Sequence, residues 1–352
     1  MLRYSADFFH DRGFKLYCLS TGETRGEYAD KLKREGYTVF HLPFRKSIGY
    51  FLQLYNLINR HGFDVVHIHS ERGYFLHALI AQMAGCPCIV RTIHSVFQFS
   101  NLLRIQKMIE RGLVRILFKI RIITISKSVQ ENEAKRFAQR STLIYNWVDS
   151  KVFYPVINEN EKWELRSQYG INENEFIIIS VGSCIPVKNH ADILKALKQV
   201  LQSCPNVLYI HVGTGELLEA EKDLTKKLCI EDRVKFFKPT EIIRPVLAMS
   251  DVFIMPSDYE GFGLAALEAL FCGLQIIAYS SSGLNELLIN DFGFSIPHSY
   301  IKLGESICYA ANNYADLIKL PKEYDTIIRN IYNKEKNLLM LLENYKLNYD
   351  AN

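Results

Sequence analysis

No apolar run in this sequence approaches the ~20 residues that a bilayer-spanning helix needs. The longest, at residues 176–181 and 251–256, are strand-sized. The opening stretch MLRYSADFFHDRG is mixed in polarity and does not read as a secretory leader. Paired cysteines are also missing. The eight cysteines stand apart except for Cys86-Pro87-Cys88, which is too tight to hold a metal alone and has no second pair. A disulfide scaffold is therefore excluded, and a reducing compartment is expected. Zinc-finger spacing, a helix-turn-helix signal and an RNP-like aromatic strand are all lacking, so no nucleic-acid partner is expected.

What is present is an ordinary globular composition, 48% hydrophobic and 23% charged. A formal charge of +4 hides an asymmetry. Residues 1–150 carry 22 Lys and Arg against 12 Asp and Glu, a net of +10, and the remainder nets −6. Field-level arguments belong to the first half.

Hydrophobic periodicity predicts strands at Phe14–Ser20, Thr38–Leu42, Phe63–His69, Cys88–His94, Ile122–Ser126 and Thr142–Tyr145, alternating with helices that include 48–60 and 100–119. After a polar junction at 156–175 the pattern restarts with strands at Phe176–Val181, Val207–Val212, Val234–Phe237, Asp251–Met255, Gln275–Tyr279 and Phe292–Ile296. A last long helix is expected at Asp325–Tyr345. Strands alternating with helices on short loops mean an α/β chain with mostly parallel sheets. The expected organisation is an N-terminal domain at 1–155, a second at 156–324, and a C-terminal helix at 325–352 packing back toward the first. Ligands are then expected at the carboxyl ends of the strands, in a cleft where two doubly wound domains face each other.

The stretch most suited to chemistry is Pro256–Gly283, PSDYEGFGLAALEALFCGLQIIAYSSSG. A strand runs into a loop with Gly261 and Gly263, then into a helix. Glycines there let a ligand approach the backbone, and free N–H groups at a helix start suit a phosphate. Glu260 on the loop and Glu268 on the helix could each accept two hydrogen bonds from vicinal hydroxyls. Spacing alone leaves open a plain exposed loop followed by a helix-surface glutamate.

Glu260 and Glu268, with EGFG, LEAL and the following glycine-led strand, resemble the E-x7-E signature of retaining glycosyltransferase family 4. The resemblance extends to other segments. Val181-Gly182 with Lys188-Asn189-His190 looks like the family's phosphate loop, and Gly213-Thr214-Gly215-Glu216 like its second turn. Tyr145-Asn146-Trp147-Val148-Asp149 with Phe153 is similar to its linker, Asp64-Val65-Val66-His67-Ile68-His69 to its D-V-V-H-x-H strand, and Thr92-Ile93-His94 to its T-x-H segment. The ordered series covers about residues 60–290.

The resemblance implies the GT-B fold, two Rossmann-like doubly wound domains facing a central cleft, and transfer of a hexose from a nucleotide-diphosphate sugar with retention at the anomeric carbon. Glu260 would meet the sugar hydroxyls and Glu268 the ribose. Ser183, Gly261, Phe262, Gly263 and Leu264 would line the donor site, the last two through backbone amides. Lys188 would neutralise the diphosphate, and His94 would stand over the sugar near the reacting centre. His94 otherwise reads as a strand-end histidine with a satisfied hydrogen bond, and His67 and His69 as structural or acceptor-side. No D-x-D motif accompanies these histidines, so neither metal nor cofactor is expected. No residue separates the family's donors, and a UDP-sugar is slightly favoured over GDP-mannose; the acceptor is expected to be a glycan or lipid-linked molecule in cell-surface polysaccharide or glycolipid synthesis.

Two departures stand out. Ser183 occupies the place of the family's arginine, removing a bidentate phosphate fork. The chain also opens inside what resembles the family's first helix, so a central first strand and its glycine-rich loop are expected to be missing. A GT-B epimerase and an inactive relative acting as a binding or assembly subunit are the competing readings. Finally, Arg104, Lys107, Arg111, Arg115 and Lys119 recur at helical spacing and predict a basic stripe that docks a cytoplasmic protein on the anionic inner face of a membrane.

Overall fold

The computed structural model describes residues 4–26, 28–240, 242–288, 293–314 and 322–345. The chain divides into two units. The first comprises residues 4–147 with the helix Lys334–Tyr345, and the second runs from Val148 to Asn333. The division falls ahead of the expected junction at 155. The reason is visible in the second unit, where Arg244 donates from Nε to Tyr154 O (3.2 Å) and from Nη2 to Pro155 O (3.1 Å), holding this segment down. The expected single C-terminal helix is two, Lys322–Ile331 and Lys334–Tyr345. They break beside Asn333, which forms a bridge with Val148, so the chain's two passages between units lie next to each other.

In the first unit β1 (Tyr17–Ser20) pairs only with β2 (Thr38–His41), while β3 (Val65–Ile68), β4 (Cys88–Ile93), β5 (Arg121–Thr124) and β6 (Thr142–Leu143) make a separate sheet in that order. All pairings are parallel. A cavity of about 1090 Å³ is lined by Leu16–Leu19 on one side and Asp64–Ile68 on the other. Neither β1 nor β3 has a second strand partner among the described residues. One face of the four-stranded sheet, through Cys88, Val90 and Ile123, packs against Phe8, Phe9, Leu338 and Leu341 of the terminal helices.

The opposite face carries an ion network that the sequence reading missed. Arg91 on β4 pairs with Glu71 and lies 3.6 Å from the Tyr74 ring centroid. Arg111, 1% exposed, donates from Nε to Glu133 Oε2 (2.7 Å) and from Nη2 to Glu133 Oε1 (3.1 Å). Lys107 turns toward Glu110 (2.8 Å) and Glu71 (3.8 Å). The expected basic stripe is thereby corrected. A carboxylate buried beside a helix captures its central arginine, because an unpaired buried charge is far costlier than a paired one. Arg104, Arg115 and Lys119 remain exposed, and Lys119 lies past the end of the helix Asn101–Phe118. With its polar side turned inward, that helix leaves apolar residues outside, from Leu102 at 82% exposure to Ile116 at 69%.

The second unit is one six-stranded parallel sheet. It comprises β7 (Phe176–Val181), β8 (Val207–Val212), β9 (Val234–Phe237), β10 (Val252–Met255), β11 (Gln275–Tyr279) and β12 (Phe294–Ile296), ordered 12-11-10-7-8-9. Three of these strands, β7, β8 and β10, are buried almost end to end, as expected of a parallel sheet covered on both faces. The junction helix Glu159–Gln168 is docked by Lys162 and Arg166, which grip Asp251 at 2.6 and 2.7 Å. Counted from β7, the strand order reverses between the first and fourth strands. Crevices at such switch points, beyond the carboxyl ends, are where open α/β sheets bind ligands. Among the described residues no helix is long and apolar enough to cross a membrane.

Candidate active site

The loops leaving β7 and β10 flank the switch point, and they are stitched together. Asp258 N donates to Val187 O (2.9 Å), and Asn189 Nδ2 donates to Pro256 O (3.1 Å) and Asp258 Oδ1 (2.6 Å). Lys188 Nζ donates to Glu260 Oε1, with both side chains four-fifths buried or more. The backbone conformation at Asn189 makes this possible. Its φ of 51° turns the chain from the short 3-10 turn Pro186–Lys188 into the helix His190–Val200, and asparagine tolerates that left-handed region better than most residues. Sequence reasoning assigned Lys188 and Glu260 to separate ligand groups. It named Asn189 only within the phosphate-loop resemblance and gave Asp258 no role; an asparagine directly before a helical run is the one sequence signal here, and nothing local marks Asp258.

The glycines are there for space. At Gly263 (φ +85°) a Cβ would lie 2.5 Å from Leu284 Cδ2, and at Gly213 it would lie 1.9 Å from Gly182 O. The first keeps the start of the helix Leu264–Phe271 at the loop, its N–H groups available to a ligand. The second lets the turn after β8 abut the turn after β7. Leu264 is partly exposed at that helix start, and Gly261 and Gly263 are buried. Phe262 is buried, its ring 5.2 Å from that of Tyr332. Ser183 is exposed at the end of β7. Glu268 is 6% exposed, which removes the plain surface-glutamate alternative.

His94 belongs to the first unit, at the end of β4. Its Nε2 lies 2.9 Å from His69 Nδ1, and His67 lies 2.7 Å from Thr92 Oγ1 and 2.5 Å from the Tyr345 hydroxyl. Burial pushes His94 down to about 4 and His67 to about 3; His69 falls well below its ordinary value through burial and its two histidine neighbours. His94 is therefore a neutral imidazole at physiological pH, suited to hydrogen-bonding a hydroxyl rather than to carrying charge.

Known proteins resemble this chain in sequence and fold. The profile of "Glycosyltransferase Family 4" matches residues 2–152, and that of "Glycosyl transferases group 1" matches 161–334. The sequence is 30% identical over 268 residues to an Escherichia coli UDP-Gal:alpha-D-GlcNAc-diphosphoundecaprenol alpha-1,3-galactosyltransferase, covering 71% of this chain and 67% of that one. The chain belongs to this glycosyltransferase family. The transferase is also 28% identical to Bacillus anthracis N-acetyl-alpha-D-glucosaminyl L-malate synthase, covering 72% of the chain and 65% of that protein. The chain thus spans about two thirds of the length of these relatives. Its fold matches a glycosyltransferase from Rickettsia africae (TM-score 0.81, 20% identity, 97% and 92% of the two chains). It also matches Anabaena HepE in complex with UDP and glucose (TM-score 0.79, 19% identity, 94% and 98%). The fold is GT-B, with two α/β domains.

The histidine cluster of this transferase carries a pH dependence. Between the ordinary histidine value and the lowered folded values, the unfolded chain binds protons that the folded chain refuses, so stability is lost as pH falls. Thermal unfolding from pH 7 to 4 should show a steeper loss for the native protein than for His94→Gln. The difference should reach about 1.4 kcal/mol per pH unit. Parallel curves would remove the neutral-imidazole assignment.

Proposed function

We propose that this transferase moves a hexose from a nucleoside-diphosphate sugar to a lipid-linked or glycan acceptor, with retention of anomeric configuration. The observation that carries this reading is the Lys188–Glu260 pair at the switch point. On donor binding the pair would part, with Lys188 turning to the diphosphate and Glu260 to the sugar hydroxyls. The amides at Gly263 and Leu264 would face the phosphate, and Glu268 the ribose. As the bond from the anomeric carbon to the diphosphate breaks, negative charge grows on the leaving oxygen, and Lys188 stabilises it there. The acceptor oxygen bonds to the anomeric carbon on the same face, and its proton goes to the departing phosphate. His94 would hydrogen-bond the sugar. This route needs no second carboxylate nucleophile. Ser183 leaves Lys188 as the main counter-charge. The Escherichia coli relative, named for UDP-Gal and a diphosphoundecaprenol acceptor, supports a UDP-hexose donor. A GDP-mannose-dependent alpha-(1-6)-phosphatidylinositol monomannoside mannosyltransferase of Mycolicibacterium smegmatis, 25% identical, keeps GDP-mannose as the alternative to test.

The helix Asn101–Phe118 supports docking on an anionic membrane, the surface where a lipid-linked acceptor resides. Its exposed Leu102, Ile105, Ile109 and Ile116 would enter the headgroup region, with Arg104, Arg115 and Lys119 beside lipid phosphates. This differs from the stripe read in the sequence, because the apolar face faces outward and Arg111 does not take part. Such a location would be cytoplasmic and peripheral.

Two experiments test these readings. Incubation with UDP-hexoses and GDP-mannose over a panel of lipid-linked acceptors should give an α-linked product from a UDP-sugar. Glu260→Gln and Lys188→Met should each lower kcat by about 100-fold, and Glu268→Ala should weaken donor binding by about 1.5–3 kcal/mol. Donor isomerisation without acceptor, or donor binding without any turnover, would contradict the proposal. Co-sedimentation should show binding to anionic vesicles that weakens with salt and is lost on triple replacement of Ile105, Ile109 and Ile116 by Glu. Equal pelleting of the native and triple variants would contradict docking.

A further inference from the structure

Directly beneath the loop that carries Ser183 and Lys188 lies a cluster that the transfer chemistry does not use. Cys184 comes from the same loop, His190 opens the helix His190–Val200, His211 stands on β8, and Glu221 on the helix Leu218–Leu228. All four are buried, and one ligand atom from each lies within 4.8 Å of all the others. Cys184 Sγ is 3.2 Å from His211 Nε2, and His190 Nδ1 is 3.1 Å from Glu221 Oε1.

We infer that Cys184, His190, His211 and Glu221 form a structural site for a zinc-type divalent cation. Three observations lead there. First, Glu221 Oε2 is buried and has no hydrogen-bond partner, while Glu221 as a whole is 5% exposed. A buried carboxylate half left without partners is costly unless a cation completes it. Second, His211 is already oriented. Ser180 Oγ lies 2.8 Å from its Nδ1 and 2.7 Å from the Tyr209 hydroxyl, which leaves Nε2 turned toward Cys184. An outer partner on the far nitrogen is the usual support of a metal-binding imidazole. Third, the charges close. A thiolate, a carboxylate and two neutral imidazoles carry −2, which one divalent ion cancels.

The donor set suits zinc, which takes mixed sulfur, nitrogen and oxygen ligands in a tetrahedron. Zinc–ligand distances of about 2.0–2.3 Å place neighbouring ligand atoms roughly 3.2–3.8 Å apart. The two close pairs, at 3.2 and 3.1 Å, lie at or just below that range, and separations of up to 4.8 Å must shorten by about 1–1.6 Å. Ligation needs the thiolate, so the Cys184 proton leaves to solvent as the ion enters. The ion would touch no substrate. Cys184 also donates from N to Thr214 O (2.9 Å) and accepts from Leu217 N (3.0 Å), so the ion would tie the two turns beneath the donor loop to one point.

The test uses the full chain without a polyhistidine tag. Elemental analysis after purification in zinc-supplemented buffer should find about one zinc per chain. Stripping with a chelator and loading with cobalt should produce visible bands of tetrahedral cobalt and a near-ultraviolet thiolate charge-transfer band. Cys184→Ser should abolish the latter, and Glu221→Gln should lower the metal content. Folded wild-type protein that holds no stoichiometric metal and gives no cobalt bands would overturn the inference without any variant. Metal retained unchanged in both variants would overturn it too.

Discussion

Everything at the candidate site depends on holding one cation and one anion together at the point where a parallel sheet reverses its strand order. Lys188 and Glu260 lie on loops from β7 and β10, which are neighbours in space and far apart in sequence. Their pairing neutralises two charges in a largely buried place, where either alone would be costly. It also sets both groups where a diphosphate and a sugar hydroxyl could replace each partner. The Asn189 and Asp258 hydrogen bonds hold the loops in register, so the pair is arranged before a ligand arrives. Arrangement in advance is what makes electrostatic stabilisation effective in a catalytic site.

The two units solve different packing problems. The second is one continuous open sheet of six paired strands with a core that runs from β12 to β9. The first splits its strands between two sheets and places a cavity between them, while burying an Arg–Glu network under the helix Asn101–Phe118. That network has a consequence at the surface. By drawing Arg111 and Lys107 inward, it turns the helix so that leucines and isoleucines face solvent.

Much of this was legible in the sequence, for physical reasons. Strands such as Phe176–Val181 and Val207–Val212 are apolar runs broken only by Ser180 and His211, as a parallel sheet covered on both faces favours, and their boundaries match those observed. Gly263 and Glu260 stood out because a glycine-bearing strand-to-helix turn is a local property, whereas Lys188 was singled out only by resemblance to the family's phosphate loop. The helix Lys127–Phe137 left no such signal: KSVQENEAKRF is nearly all polar, and it is held by capping from Ser126 and by Glu133. The inward turn of Arg111 depends on Glu133 and Glu71, remote in sequence, and periodicity counts arginine as a surface residue. The same limit hid the Cys184–His190–His211–Glu221 cluster, whose members come from four different elements and show no ligand spacing along the chain.

The central claim is that the Lys188–Glu260 crevice receives the donor. A crystal structure of the protein with UDP and a UDP-hexose tests it most directly. The account expects the diphosphate against the amides of Gly263 and Leu264, with Lys188 moved from Glu260 onto phosphate oxygen. Nucleotide bound elsewhere, with the Lys188–Glu260 pair still closed, would contradict it.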